Sequence, residues 1–164
     1  NNIESPKLIN RETNNYSKIR FPFLPKFYGI ACNQNRINGI VIEFINGQSL
    51  DNISAMALTY NDKITLIFEL ILIFQYFRQK EMIYRDLKPN NIMVDEHKTI
   101  VLIDFDRLIP NNDESEKTNN FASGFLAPEV VSAGLYSYES DIYSLGKMIE
   151  YIAKTCESSE YSKF

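Results

Sequence analysis

The chain has 164 residues, 45% of them apolar and 23% charged, with a formal net charge of -4; this balance suits one globular domain with a substantial core and excludes a disordered tract. With a pI near 5.1 and scattered lysines and arginines, there is no basic stripe to follow a phosphate backbone, so nucleic acid is not an expected partner. Cys32 and Cys156 stand far apart and His97 is the sole histidine, which argues against a disulfide framework or a zinc site and predicts buried or idle thiols.

No basic-apolar-small pattern opens the chain, which begins with Asn1 as an excised segment would; an intracellular, cytoplasmic protein is expected. Ser5-Pro6 resembles a helix start, and Leu8, Glu12, Tyr16 and Ile19 then share one helical face. The segment Phe21-Pro22-Phe23-Leu24-Pro25 ends that helix, because proline cannot extend it. Strands are predicted over 26–32 and 37–44, parted by turn residues at 33–35, and the break at 46–49 reads as a hinge between two lobes.

From about 62 to 80 the chain is apolar nearly all round, which predicts a helix packed inside a helical lobe. Its most apolar stretch, 65–77, contains Glu69 and Gln75 and falls short of the roughly 18 to 20 residues that cross a bilayer. Short strands are expected at 91–94 and 99–104 around the turn 95–98. Residues 108–120 are polar and charged and read as a mobile loop. A last helix over 138–154 carries Ile142, Leu145, Met148, Ile149 and Ile152 on one apolar face.

Between the long helix and the next strand lies Tyr84-Arg85-Asp86-Leu87-Lys88-Pro89-Asn90-Asn91, followed by Asp104-Phe105-Asp106, then Ala127-Pro128-Glu129, then Asp141-Ile142-Tyr143-Ser144-Leu145-Gly146. In order and spacing these resemble the catalytic loop H-R-D-x-K-x-x-N, the D-F-G, the A-P-E and the D-x-W-S-x-G of the eukaryotic protein kinase family, serine/threonine class, with tyrosine in place of the histidine. The resemblance implies an α+β, two-lobe kinase fold in truncated form. An N-lobe remnant over 1–45, holding the C-helix and two strands, would precede a mainly helical partial C-lobe over 46–164 without its last helices. The implied activity is transfer of the ATP γ-phosphate to a serine or threonine hydroxyl of a protein, with ATP and Mg2+ as cofactors.

Phosphoryl transfer needs positioned reactants and neutralised charge. The resemblance gives Asp86 the role of base toward the substrate hydroxyl, Lys88 that of a positive charge on the γ-phosphate, and Asn91 and Asp104 those of magnesium ligands. It makes Glu12 the ion-pairing glutamate of the C-helix, and sets Tyr16 and Phe27 against Phe105 and Tyr84 as an apolar spine. Ile42 falls at the gatekeeper position, the backbone of Glu43 and Ile45 at the adenine edge, and Leu50 and Met93 on its apolar sides. Thr118 stands where many kinases carry an activating phosphate, which an upstream kinase would add and Arg85 would bind.

Several positions depart from the family pattern. The glycine-rich loop and strand lysine that precede the C-helix are not in this chain, nor is the arginine that pairs with the A-P-E glutamate, Glu129. Exposed apolar surface and marginal stability of this segment in isolation are therefore expected. Asp106 replaces a glycine, which would restrict switching or add an acidic group near magnesium. Ala122 stands where the serine/threonine class has threonine, and Ser49 and Asn90 occupy positions that are acidic in kinases preferring basic substrates. The alternative implied by these departures is a pseudokinase, a binding or allosteric scaffold that keeps the fold.

Overall fold

The computed structural model describes residues 6–33, 36–111 and 124–154, without the side chains of 6–10, 54 and 55. In chain order the elements are α1 (Pro6–Lys18), β1 (Phe27–Asn33), β2 (Arg36–Ile42), β3 (Gly47–Ser49), a 3-10 turn (Leu50–Ala55), α2 (Tyr60–Gln79), β4 (Met82–Ile83), a second 3-10 turn (Pro89–Asn91), β5 (Ile92–Asp95), β6 (Ile100–Leu102), β7 (Ile109–Pro110), α3 (Pro128–Ala133) and α4 (Tyr138–Lys154). Helices and small antiparallel sheets form an α+β fold: β1 pairs with β2, β3 with β5 and β5 with β6, and β4 with β7.

Helix α1 buries Tyr16, and Ile19 follows it into the core. Helix α2 starts in a capping box: Thr59 Oγ1 accepts from Asp62 N, and Asp62 Oδ2 accepts from Thr59 N at 2.7 Å. The same carboxylate holds Lys98 Nζ at 2.7 Å, which ties the β5–β6 turn to the start of the helix. Two turns further in, Glu69 accepts from the Ile100 N–H at 2.9 Å. The two acidic side chains thus give the hairpin its seat on α2. Of the two, Glu69 is buried, and its bond to Ile100 meets the pairing that burial requires.

Four details differ from the sequence expectations. Residues 47–49 form a strand on the β5–β6 hairpin, because Gly47 lets its backbone approach Val94 and Asp95 where a side chain would not fit. Residues 109–110 pair with 82–83, so the polar stretch begins as a strand; residues 112–120 of the expected loop, with Thr118, and Ala122 beyond it lie outside the described residues. Helix α2 is not covered all round. Its inner face meets β4, β6 and α4, while Ile64, Phe68 and Ile71 are exposed, as is Ile142 on α4. Finally, of the buried or idle thiols expected, Cys32 is free but not buried, lying at the exposed end of β1; Cys156 lies outside the described residues. Among the described residues, no helix is long and apolar enough to cross a membrane.

Asp141, near the start of α4, is buried and reaches across to residues 84 and 85: Oδ2 accepts from Tyr84 N at 2.7 Å and Oδ1 from Arg85 N at 3.0 Å. Both N–H groups lie at the start of the segment 84–91, so α4 fixes where that segment begins.

Two outcomes follow for stability. In Gly47→Ala the new Cβ would lie 2.2 Å from the Val94 carbonyl oxygen; urea unfolding should show a loss of about 1–3 kcal/mol. Burial raises the Asp141 carboxyl to about 6 from 3.8, with the Tyr84 and Arg85 N–H groups opposing the shift. Between those values the folded state binds more protons than the unfolded one, so this contribution to stability is lost as pH rises. Relative to Asp141→Asn, the native protein should therefore lose about 1 kcal/mol between pH 5 and pH 7, read from unfolding at the two pH values.

Candidate active site

The site is assembled around a column of rings. Tyr16 from α1 packs edge-on against Phe105 at 4.8 Å and stacks on Phe27 at 6.2 Å; Phe105 meets Tyr84 at 6.1 Å and Phe77 at 6.3 Å; Tyr84 and Phe77 stack at 5.8 Å. Tyr16, Phe77, Tyr84 and Phe105 are all buried. Burying each is worth roughly 1.5–3 kcal/mol, with a further share from ring geometry. The four rings expected to meet, Tyr16, Phe27, Phe105 and Tyr84, do so.

Tyr84 adds a polar tie, its hydroxyl donating to the Ile103 carbonyl at 2.7 Å, next to Asp104. A second polar tie escaped the sequence reading. Buried Asn15, one residue before Tyr16, donates through Nδ2 to the carbonyls of Phe105 at 2.6 Å and Leu108 at 2.8 Å. A polar residue beside Tyr16 on the same helical face was the available signal. Arg85 and Asp104 have φ of 70° and 66°, a left-handed conformation that costs a non-glycine residue of the order of 1–3 kcal/mol. The Asp141 carboxylate holds the first of these in place through the Arg85 N–H.

Beyond the rings the polar groups converge. Lys88 Nζ lies 2.7 Å from Asp86 Oδ2, and Asn91 Nδ2 donates to Asp86 O at 2.9 Å and to Asp86 Oδ2 at 3.1 Å. Arg107, unforeseen in the sequence, places Nη1 3.7 Å from Asp86 Oδ1. Oxygens of Asp86, Asp104 and Asp106 all lie within 4.8 Å of one another. Burial first, then the neighbouring Asp104 carboxylate, push Asp106 up to about 6. Among the described residues Asp106 Oδ1 is buried without a hydrogen-bond partner. Such a set of hard oxygen donors suits Mg2+ or Mn2+.

The other expected positions are spread around this centre. Glu12 lies half-buried on α1, one turn before Tyr16, whose hydroxyl pKa is raised first by burial and then by the Glu12 charge. Glu43 follows β2; its N–H donates to Lys26 O at 2.8 Å, and its side chain takes the Lys26 ammonium at 3.0 Å, which lowers its pKa. Ile42, Ile45 and Met93 are half-buried, and Leu50 is fully buried in the core. Arg85 is buried, donates through Nε to the Arg107 carbonyl at 2.6 Å and lies 5.2 Å over the Tyr136 ring.

Among known proteins, the chain is 30% identical over 146 residues to spermatocyte protein spe-8 of Caenorhabditis elegans, a match covering 87% of this chain and 28% of that protein. It is 26% identical over 168 residues to the probable serine/threonine-protein kinase kinX of Dictyostelium discoideum, covering 99% of this chain and 15% of that protein. To the MAP kinase kinase MKK1/SSP32 of Saccharomyces cerevisiae it is 30% identical over 163 residues, covering 92% and 31%. The chain thus spans less than a third of each of these relatives. Residues 1–161 match the family described as protein kinase domain, and with Asp86, Lys88, Asn91 and Asp104 gathered beneath a buried ring column, the chain belongs to the protein kinase domain family.

Proposed function

We propose that the protein is a serine/threonine protein kinase, which moves the γ-phosphate of ATP to a serine or threonine hydroxyl of a protein substrate. The observation that carries this is the Asp86 carboxylate, held by Lys88 at 2.7 Å and Asn91 at 3.1 Å and turned toward Asp104. Lys88, two residues after Asp86, favours the serine/threonine class, and so do relatives bearing that name.

In the transfer, Asp86 accepts the hydroxyl proton as the substrate oxygen attacks the γ-phosphorus. The new O–P bond forms as the bond from that phosphorus to the β,γ-bridging oxygen breaks, and ADP leaves with the electron pair. Lys88 offers its charge to the moving phosphoryl group and fixes the Asp86 carboxylate. Asn91 and Asp104 would hold Mg2+, which supplies neutralising charge to the phosphate oxygens when bound. Fit to such a cation is supported by the orphaned Asp106 Oδ1 and by the all-oxygen donor set.

Residues 1–45 act as the smaller lobe and 46–164 as the larger, with adenine between them against the backbone of Glu43 and Ile45 and beside Leu50 and Met93. The Glu43 N–H is already taken by Lys26 O, so its carbonyl is the group offered to the base. Glu12 is the ion-pairing glutamate of α1, and acts on the phosphates only through the lysine that such a glutamate pairs with. A phosphate on Thr118 would pair with Arg85, whose guanidinium lies beside Arg107 and Tyr136.

The full-length protein with Mg-ATP and a generic protein substrate should yield phosphoserine and phosphothreonine. Asp104→Ala should lower the rate by about two orders of magnitude or more. Phosphotyrosine as the product would refute the assigned class; absence of transfer by the folded, full-length protein would favour a scaffold.

A further inference from the structure

Asp106 has no role in the transfer described above, yet its side chain sits among the residues that perform it. Three carboxylates within 4.8 Å of one another repel strongly unless cations serve them. Among the described residues the ion pairs at this cluster are both on Asp86, Lys88 at Oδ2 and Arg107 at Oδ1, with the Arg107 charge also felt by Asp106. Asp104 and Asp106 are linked to each other, the Asp106 N–H donating to Asp104 Oδ1 at a long 3.4 Å. Asp106 Oδ1 is left buried with no partner among the described residues, an arrangement that native proteins avoid unless something else satisfies the atom.

We propose that Asp106 is a direct ligand of the divalent cation held by Asp104, so that this protein binds the cation before and without nucleotide. Magnesium in phosphate-transfer sites is commonly held by one or two carboxylates, with substrate phosphates completing the shell. A further carboxylate raises the negative charge count and supplies from the protein what the phosphates supply elsewhere. Asp104 and Asp106 flank Phe105, whose buried ring fixes the turn, and Asn15 holds the Phe105 carbonyl from α1. Both carboxylates are therefore presented by a braced backbone rather than by a free loop, as metal ligands require. This rests on the kinase reading only through the role of Asp104.

The test is Mn2+ binding to the full-length protein without nucleotide, followed by the electron paramagnetic resonance of free Mn2+. Asp106→Asn preserves shape and removes the charge; Asp106→Gly removes the side chain; circular dichroism confirms that each variant is folded. Both substitutions should weaken nucleotide-free Mn2+ binding by about tenfold or more, and Asp104→Asn should abolish it. Unchanged affinity in folded Asp106→Asn and Asp106→Gly would overturn the inference. So would native binding weaker than about 1 mM without nucleotide. Either result leaves the kinase reading standing if phosphate transfer by the native protein is intact, whereas a native protein that transfers no phosphate, with Mn2+ binding that the Asp106 substitutions weaken, would sink that reading and spare Asp106.

Discussion

The burial of Phe105 between Tyr16 and Tyr84 is the constraint on which the rest of the site depends. Phe105 stands between Asp104 and Asp106, Tyr84 stands two residues before Asp86, and Tyr16 belongs to a helix far away in sequence. When these rings close on one another, the groups flanking them have few places left to go. The polar ties reinforce the same geometry: Asn15 on the Phe105 and Leu108 carbonyls, the Tyr84 hydroxyl on Ile103, and Asp141 on the Tyr84 and Arg85 N–H groups. Apolar burial supplies most of the energy, and the hydrogen bonds fix direction. That combination sustains left-handed backbone at Arg85 and Asp104, which neither residue would adopt unaided.

Much of this arrangement was legible in the sequence through its resemblance to the family's motifs. That resemblance singled out Asp86, Lys88, Asn91 and Asp104, which the structure brings close together, and the rings that meet. The same held for the long helices, whose period and capping signals are local. What was not legible depends on partners distant in the chain. Residues 47–49 look like a hinge because three polar or small residues carry no strand pattern; only the β5 edge beside them makes a strand. Helix α2 looked buried all round because hydropathy counts residues and cannot say whether anything covers Ile64, Phe68 and Ile71. Arg107 and Asn15 are ordinary polar residues in sequence, and gain meaning only when Asp86 and the Phe105 carbonyl come to face them.

The departures from the family pattern sort into two kinds. Tyr84 replaces a histidine yet keeps an aromatic ring in the column and a polar atom on the Ile103 carbonyl just after β6, so the substitution preserves the physical task. Asp106 changes the task. It puts a third carboxylate where the pattern has no side chain, and burial together with Asp104 raises its pKa. Whether a site tolerates such crowding is decided by the cations available to it, and among the described residues Lys88 pairs with Asp86 while Arg107 lies between Asp86 and Asp106 in its effect.

The central claim is that Asp86 orients the substrate hydroxyl and takes its proton. It is tested most directly by comparing steady-state phosphate transfer by the full-length protein and by Asp86→Asn. A loss of about 10²–10⁴ in kcat with little change in KM for ATP is the predicted result, since a general base acts in the transition state and not on nucleotide binding. Transfer by Asp86→Asn at the native rate would contradict the account.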